Sequence, residues 1–237
     1  MEIFTQTGGE MLSRWGHYLA GITWIGLLYY FNFVQTPSFA AFEAGPRTEA
    51  VRKLVPRALW WFRYGALLTL LFGISILAFQ ERLTDGDFWK TGGGVSISIG
   101  ILLAVVMFAN VWFVIWPCQK IFIANAEATA AGQEANPAAA GAARKAACAS
   151  RTNTLFSIPM LFYMGATSHL APLYDTSDGR PLFYLIALVL IVVFEGIALA
   201  SPAAGAPHAW HIDQHRNTII AGFVLSAVLV LLMEALF

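Results

Sequence analysis

The chain has 237 residues, of which 58% are hydrophobic and only 12% charged. Ordinary soluble domains carry about 25% charged residues, so a soluble globular domain is excluded. Fourteen Lys and Arg balance fourteen Asp and Glu, which leaves no basic field to hold a nucleic acid.

A bilayer core of about 30 Å needs roughly 20 apolar residues per helix. Runs of that kind lie near 14–35, 58–80, 94–117, 152–171, 181–200 and 217–236. They predict an all-α integral membrane bundle of about six transmembrane helices, forming one domain over 1–237. The first run follows a segment holding Glu2 and Glu10 and lacks a basic n-region, so it reads as a retained span and not as a signal peptide. Between the third and fourth runs, 118–151 is Ala-rich and interrupted by Pro137. The helix propensity of alanine predicts two short surface helices there. Small residues four apart, Gly65, Thr69 and Gly73 on the second span and Ser96, Gly100 and Ala104 on the third, predict close helix packing.

With six spans, the loops near 36–57, 118–151 and 201–216 share one side. Ten of the fourteen Lys and Arg lie nearer that side, leaving Arg14, Arg82, Lys90 and Arg180 opposite. The positive-inside rule makes the basic side cytoplasmic and puts both termini on the outer, periplasmic side. Cys118 and Cys148 then face a reducing compartment as free thiols. Neither belongs to a Cys-x-x-Cys-His motif, so covalent haem c is excluded within this chain.

Ionisable residues inside spans are costly and therefore candidates for function. His17 stands near the start of the first span and His169 near the end of the fourth, which puts both in the outer leaflet. Gly21 and Gly165 lie four residues deeper on the same faces, where missing side chains leave room for a flat ring. Trp15, Tyr18, Trp24, Phe162 and Tyr163 supply an apolar wall. Two imidazoles in such surroundings suit a bis-histidine haem b; the alternative is a pair of interfacial histidines with polar partners.

Arg63 and Glu195 lie at similar depth near the basic side. As an ion pair they would either fix bundle register or bind a quinone or anionic substrate. His208, His211 and His215 fall on one stripe if 208–215 is helical, a spacing able to hold zinc or copper. The alternative is an exposed polar helix start anchored by Trp210.

Four segments carry a resemblance: "GITWIGLLYYFNF" (21–33), "WWFRYGALLTLLFG" (60–73), "ANVWFVIWPCQK" (109–120) and "NTLFSIPMLFYMGATSHL" (153–170). They resemble the membrane domain of the bacterial urate hydroxylases, also described as the urate oxidase N-terminal domain family, over roughly residues 14–170. Matching positions are His17, Asn110, Pro117, Gln119, Asn153, Pro159 and His169. The resemblance implies a multi-pass protein of the bacterial inner membrane, linked to oxidation of urate toward 5-hydroxyisourate and joined in the family to an outward c-type cytochrome domain. That cytochrome domain is not expected in this chain, and Trp60 and Thr152 stand where the family pattern has histidine. Two functions follow as expectations. One is a membrane redox protein, an oxidoreductase of the urate hydroxylase type that transfers electrons through haem b with a separate cytochrome. The other is a non-catalytic accessory subunit of a larger respiratory or oxygenase-type complex. Expected partners are membrane lipid and other membrane subunits or a cytochrome.

Overall fold

A computed structural model describes residues 3–170 and 179–237, and among them every regular element is helical. Helix α1, Gln6–Tyr29, opens on Thr5, whose Oγ1 accepts a hydrogen bond from the Gly8 N–H at 3.2 Å. It passes through a π turn, Tyr30–Gln35, directly into α2, Thr36–Ala41. Next come α3, Ala44–Lys53, and α4, Val55–Phe79, with a proline in the first turn of α4 where a missing N–H costs nothing. Thr91 caps α5, Gly92–Ala109, which continues through a second π turn, Asn110–Ile115, into α6, Trp116–Ala130. Helix α7 spans Ala139–His169 and α8 spans Arg180–Ala200. A short α9, Trp210–Asp213, precedes α10, His215–Leu236.

Both π turns have one cause. Each ends two residues before a proline, ahead of Thr36-Pro37 and of Trp116-Pro117. A proline ring inside a helix has no N–H to donate and collides with the carbonyl four residues back. Widening the preceding turn relieves this: the Thr36 N–H bonds Phe31 O, and the Trp116 N–H bonds Val111 O, five residues back in each case. The extra residue rotates the helix locally and carries a buried asparagine, Asn32 or Asn110, toward the interior.

Helix α7 is the axis of the bundle, packed against α5, α6, α8, α10 and the end of α1. Its polar residues Thr152, Asn153, Thr154 and Ser157 are all buried. The expected small-residue faces are consumed within the bundle. Gly65 of α4 lies against the backbone of Trp24 and Ala20, and Gly100 of α5 lies against Met164. Pro159 leaves the Leu155 carbonyl without its helical N–H partner, and α10 approaches that carbonyl through Gly222.

Four helices are long and apolar enough to cross a membrane: Val55–Phe79, the continuous Gly92–Ala130, Arg180–Ala200 and His215–Leu236. Helices α1 and α7, also expected to span, have the length but carry more polar residues, which α7 turns inward. Leu185, Val189 and Val192 on α8, with Phe223, Val224 and Leu231 on α10, are exposed and suit contact with lipid tails.

The Ala-rich segment does not form separate surface helices. Alanine instead prolongs the two flanking helices, leaving 131–138 between them. Gly132, at φ +77°, closes α6 in a Schellman arrangement, with Gln133 N–H on Ala128 O at 3.0 Å and Gly132 N–H on Thr129 O at 3.1 Å.

Candidate functional site

The second π turn places Asn110 where α5, α7 and α8 meet. Asn110 Nδ2 donates to Asn153 Oδ1 at 2.9 Å and to Glu195 Oε2 at 2.9 Å, while Asn153 Nδ2 donates to Met107 O at 2.9 Å. Asn110 and Asn153 are buried and Glu195 is half-buried. No cation pairs with this carboxylate among the described residues; the Asn110 amide, itself bonded to Asn153, holds it instead. The first π turn makes a parallel contact, with Asn32 Nδ2 on Ser150 Oγ at 2.8 Å and Tyr29 OH 2.9 Å from Ser157 Oγ.

The expected Arg63–Glu195 ion pair is not formed. Arg63 lies over the Trp116 ring, 3.5 Å from its centroid, with Trp112 at 5.4 Å and Tyr64 at 5.8 Å. The guanidinium finds its stabilisation on indole faces, and Glu195 finds its own in Asn110. Trp60 packs on Tyr64 at 4.6 Å between centroids and so extends this aromatic group.

His17 Nδ1 lies 2.9 Å from the Thr69 carbonyl of α4, and His169 Nδ1 lies 3.0 Å from the Gly165 carbonyl. A carbonyl oxygen only accepts, so in both rings Nδ1 carries the hydrogen of that bond and Nε2 is not used in it. The contacts of Tyr29 with Ser157 and of Asn32 with Ser150 make α1 and α7 antiparallel. His17 is twelve residues before Tyr29 and His169 twelve after Ser157, which puts both at one level, about 18 Å from that contact. Gly21 differs from expectation. A Cβ there would meet only Thr69 Cγ2 of α4, at 4.0 Å, and the glycine beside the His17 ring is Gly73, where a Cβ would lie 3.2 Å from Cε1. Gly165 has nothing within 4 Å of a Cβ position. Of the expected aromatic wall, Trp24 and Tyr163 are buried in the core, whereas Trp15 and Tyr18 are exposed.

The histidine stripe at 208–215 does not exist. Gln214 is extended, with φ −128° and ψ 136°, and so separates α9 from α10. His211 is buried with its ring 5.0 Å from Phe194, while His215 faces Phe33 at 6.2 Å. Among the described residues no cluster of three His, Cys, Asp or Glu side chains is placed to hold a metal. The segment is fastened by charge: Arg144 bonds Asp213 at 2.7 Å and Pro202 O at 2.9 Å, and Arg151 bonds the carbonyls of Ile212 and Asp213. Cys148 and Cys118 are free thiols. Burial pushes the Cys148 thiol up from its ordinary value, away from thiolate chemistry.

A sequence profile for the family described as urate oxidase N-terminal matches residues 87–234. The chain belongs to that family. No curated protein and no solved structure matches it. The match to the urate oxidase N-terminal family reaches beyond residue 170, where the sequence segments end, and takes in α8 and α10. It contains the whole Asn110, Asn153 and Glu195 cluster, together with His169 and His211, whereas His17 and Arg63 precede it. The pairing of Asn110 with Glu195 was the contact that sequence reading missed in this urate oxidase N-terminal chain. Its signal was a polar amide inside an apolar run, seven residues before a proline.

Proposed function

We propose that this chain is a membrane redox subunit of the urate hydroxylase type, with a b-type haem held by His17 and His169. The observation that supports the reading is the common state of the two rings. Each donates Nδ1–H to a backbone carbonyl and leaves Nε2 free to ligate, as an axial imidazole requires. The residues fit the group as donors at one level, and the open face at Gly165 leaves room beside His169; the glycine beside the His17 ring is Gly73 of α4. When bound, haem would supply one-electron transfer between a reductant and a separate partner of the c-type cytochrome class. The chain's own contribution is orientation. Thr69 fixes the tautomer of His17 across a helix interface, and the Gly165 carbonyl fixes that of His169.

The test is the visible spectrum of the purified, reduced protein. A low-spin b-type spectrum is expected, lost in both His17→Ala and His169→Ala and kept in Arg63→Ala, because axial ligation needs both imidazoles and Arg63 rests on Trp116. Wild-type protein without haem absorbance would overturn the reading and favour a non-catalytic subunit of a larger complex.

A further inference from the structure

Two cations share the Trp116 indole, which opens α6 directly after the second π turn. The Arg63 guanidinium of α4 lies 3.5 Å from the ring centroid, and the Lys120 ammonium, four residues further along the same face of α6, lies 5.7 Å from it. At 3.5 Å the planar guanidinium stacks on the indole, and stacking keeps its N–H bonds in its own plane, directed past the ring. Its Nε donates to the Leu59 carbonyl at 3.3 Å, and among the described residues neither Nη has an acceptor. No carboxylate forms an ion pair with Arg63 or Lys120 among those residues either. Two like charges thus stand at one ring without a counter-ion.

The neighbouring side chains say where this pair sits. Trp112 and Tyr64 lie 5.4 Å and 5.8 Å from the guanidinium, Tyr64 carries Trp60 at 4.6 Å, and Trp60 carries Trp61 at 5.0 Å. Trp60 is 47% exposed and Trp61 60%, while Phe113, three residues before Trp116, is 75% exposed. Tryptophan and tyrosine collect at the headgroup level of a bilayer, and outward phenylalanine suits the acyl chains beneath it. At that level the abundant anion is a lipid phosphodiester, which basic sites between spans recognise.

We propose that Arg63 and Lys120 hold the phosphodiester of an anionic phospholipid at the Trp116 ring. The two Nη groups offer parallel N–H bonds to the non-bridging oxygens, and the lysine adds a point charge. A zwitterionic headgroup suits the place less well, because its own cation would join two others with no carboxylate to receive it. Free phosphate shares the oxyanion chemistry but would leave the outward Trp60, Trp61 and Phe113 side chains uncovered, whereas lipid chains bury them. The inference stands on these contacts and does not depend on haem at His17 and His169.

The experiment is native mass spectrometry of the full chain, stripped of lipid in detergent and titrated with phosphatidylglycerol, phosphatidylcholine or inorganic phosphate. The first phosphatidylglycerol should bind more tightly than later ones and resist displacement by either competitor. Arg63→Gln should weaken that first binding about 10-fold, and Lys120→Gln about 5-fold. Arg57→Gln removes an exposed charge earlier on α4, outside the ring group, and should leave it unchanged. An unchanged affinity in Arg63→Gln or Lys120→Gln, an equal loss in Arg57→Gln, or displacement by phosphatidylcholine or phosphate would overturn the proposal. If Arg63→Gln does not fold, Lys120→Gln decides, because Lys120 is exposed and holds no packing contact of the core.

Discussion

Asp213 shows how one side chain organises a connection that has little helix of its own. Its Oδ1 meets Arg144 at 2.7 Å and its Oδ2 accepts the Gly205 N–H at 2.8 Å, which ties the turn after α8 to the start of α7. Burial alone would raise its carboxyl. The bonds from Arg144 and Gly205 and the charges of Arg144 and Arg151 outweigh burial and hold it below the ordinary value. A depressed folded-state pKa means that the unfolded chain takes up the proton first. The stabilisation is therefore complete above the ordinary Asp value of about 3.9 and is lost as pH falls toward the lower folded value. Asp213→Asn should weaken the 202–213 segment by about 1–3 kcal/mol at neutral pH, read as lost hydrogen-exchange protection confined to those residues. Wild type should approach the variant as the pH falls below the ordinary Asp value, whereas equal protection of both at pH 7 would contradict the assignment. In the sequence Asp213 stands among the histidines of 208–215 with no sign of this role. The Arg144 partner, far away along the chain, was not legible, because ion pairs between distant segments leave no periodic trace.

At the scale of elements, prolines set the geometry and glycines accommodate it. Pro37 and Pro117 generate the π turns that aim Asn32 and Asn110 inward, and Pro159 frees the Leu155 carbonyl against which Gly222 of α10 packs. A Cβ at Gly222 would stand 2.9 Å from that carbonyl and 2.5 Å from Ile158 Cδ1. Gly222→Ala should therefore part α10 from α7 and cost about 1–3 kcal/mol through overpacking, visible as a lower unfolding midpoint in detergent. Gly165→Ala, with nothing within 4 Å, should leave the midpoint unchanged and serves as the control. Equal effects at the two sites would mean that the α7–α10 contact is looser than the structure has it. The helices themselves were legible as apolar runs. Their prolongation at 118–151 was not, because a run that leaves the apolar layer loses its hydropathy signal while alanine keeps its helix propensity.

For the molecule as a whole, six crossings would divide the basic residues ten to four between the two sides, and the positive-inside rule turns that bias into an expected direction. A periplasm-active reporter fused after Phe237 should be active, and one that works only in the cytoplasm should be active when inserted in 131–138. The reverse pattern would invert the bundle or change the number of crossings. By itself the sequence determined the all-helical class and the family, because hydropathy runs and motif order are local properties of the chain. Partnership was decided by tertiary structure alone. Arg63 chose Trp116 over Glu195, Gly21 turned to α4, Gln214 broke the histidine stripe, and Asn110 reached Glu195 only because a π turn rotated it there. Each outcome depends on which helix faces which and on a rotation of about 100° per residue, and the spacing of residues along a chain carries no record of its neighbours in space.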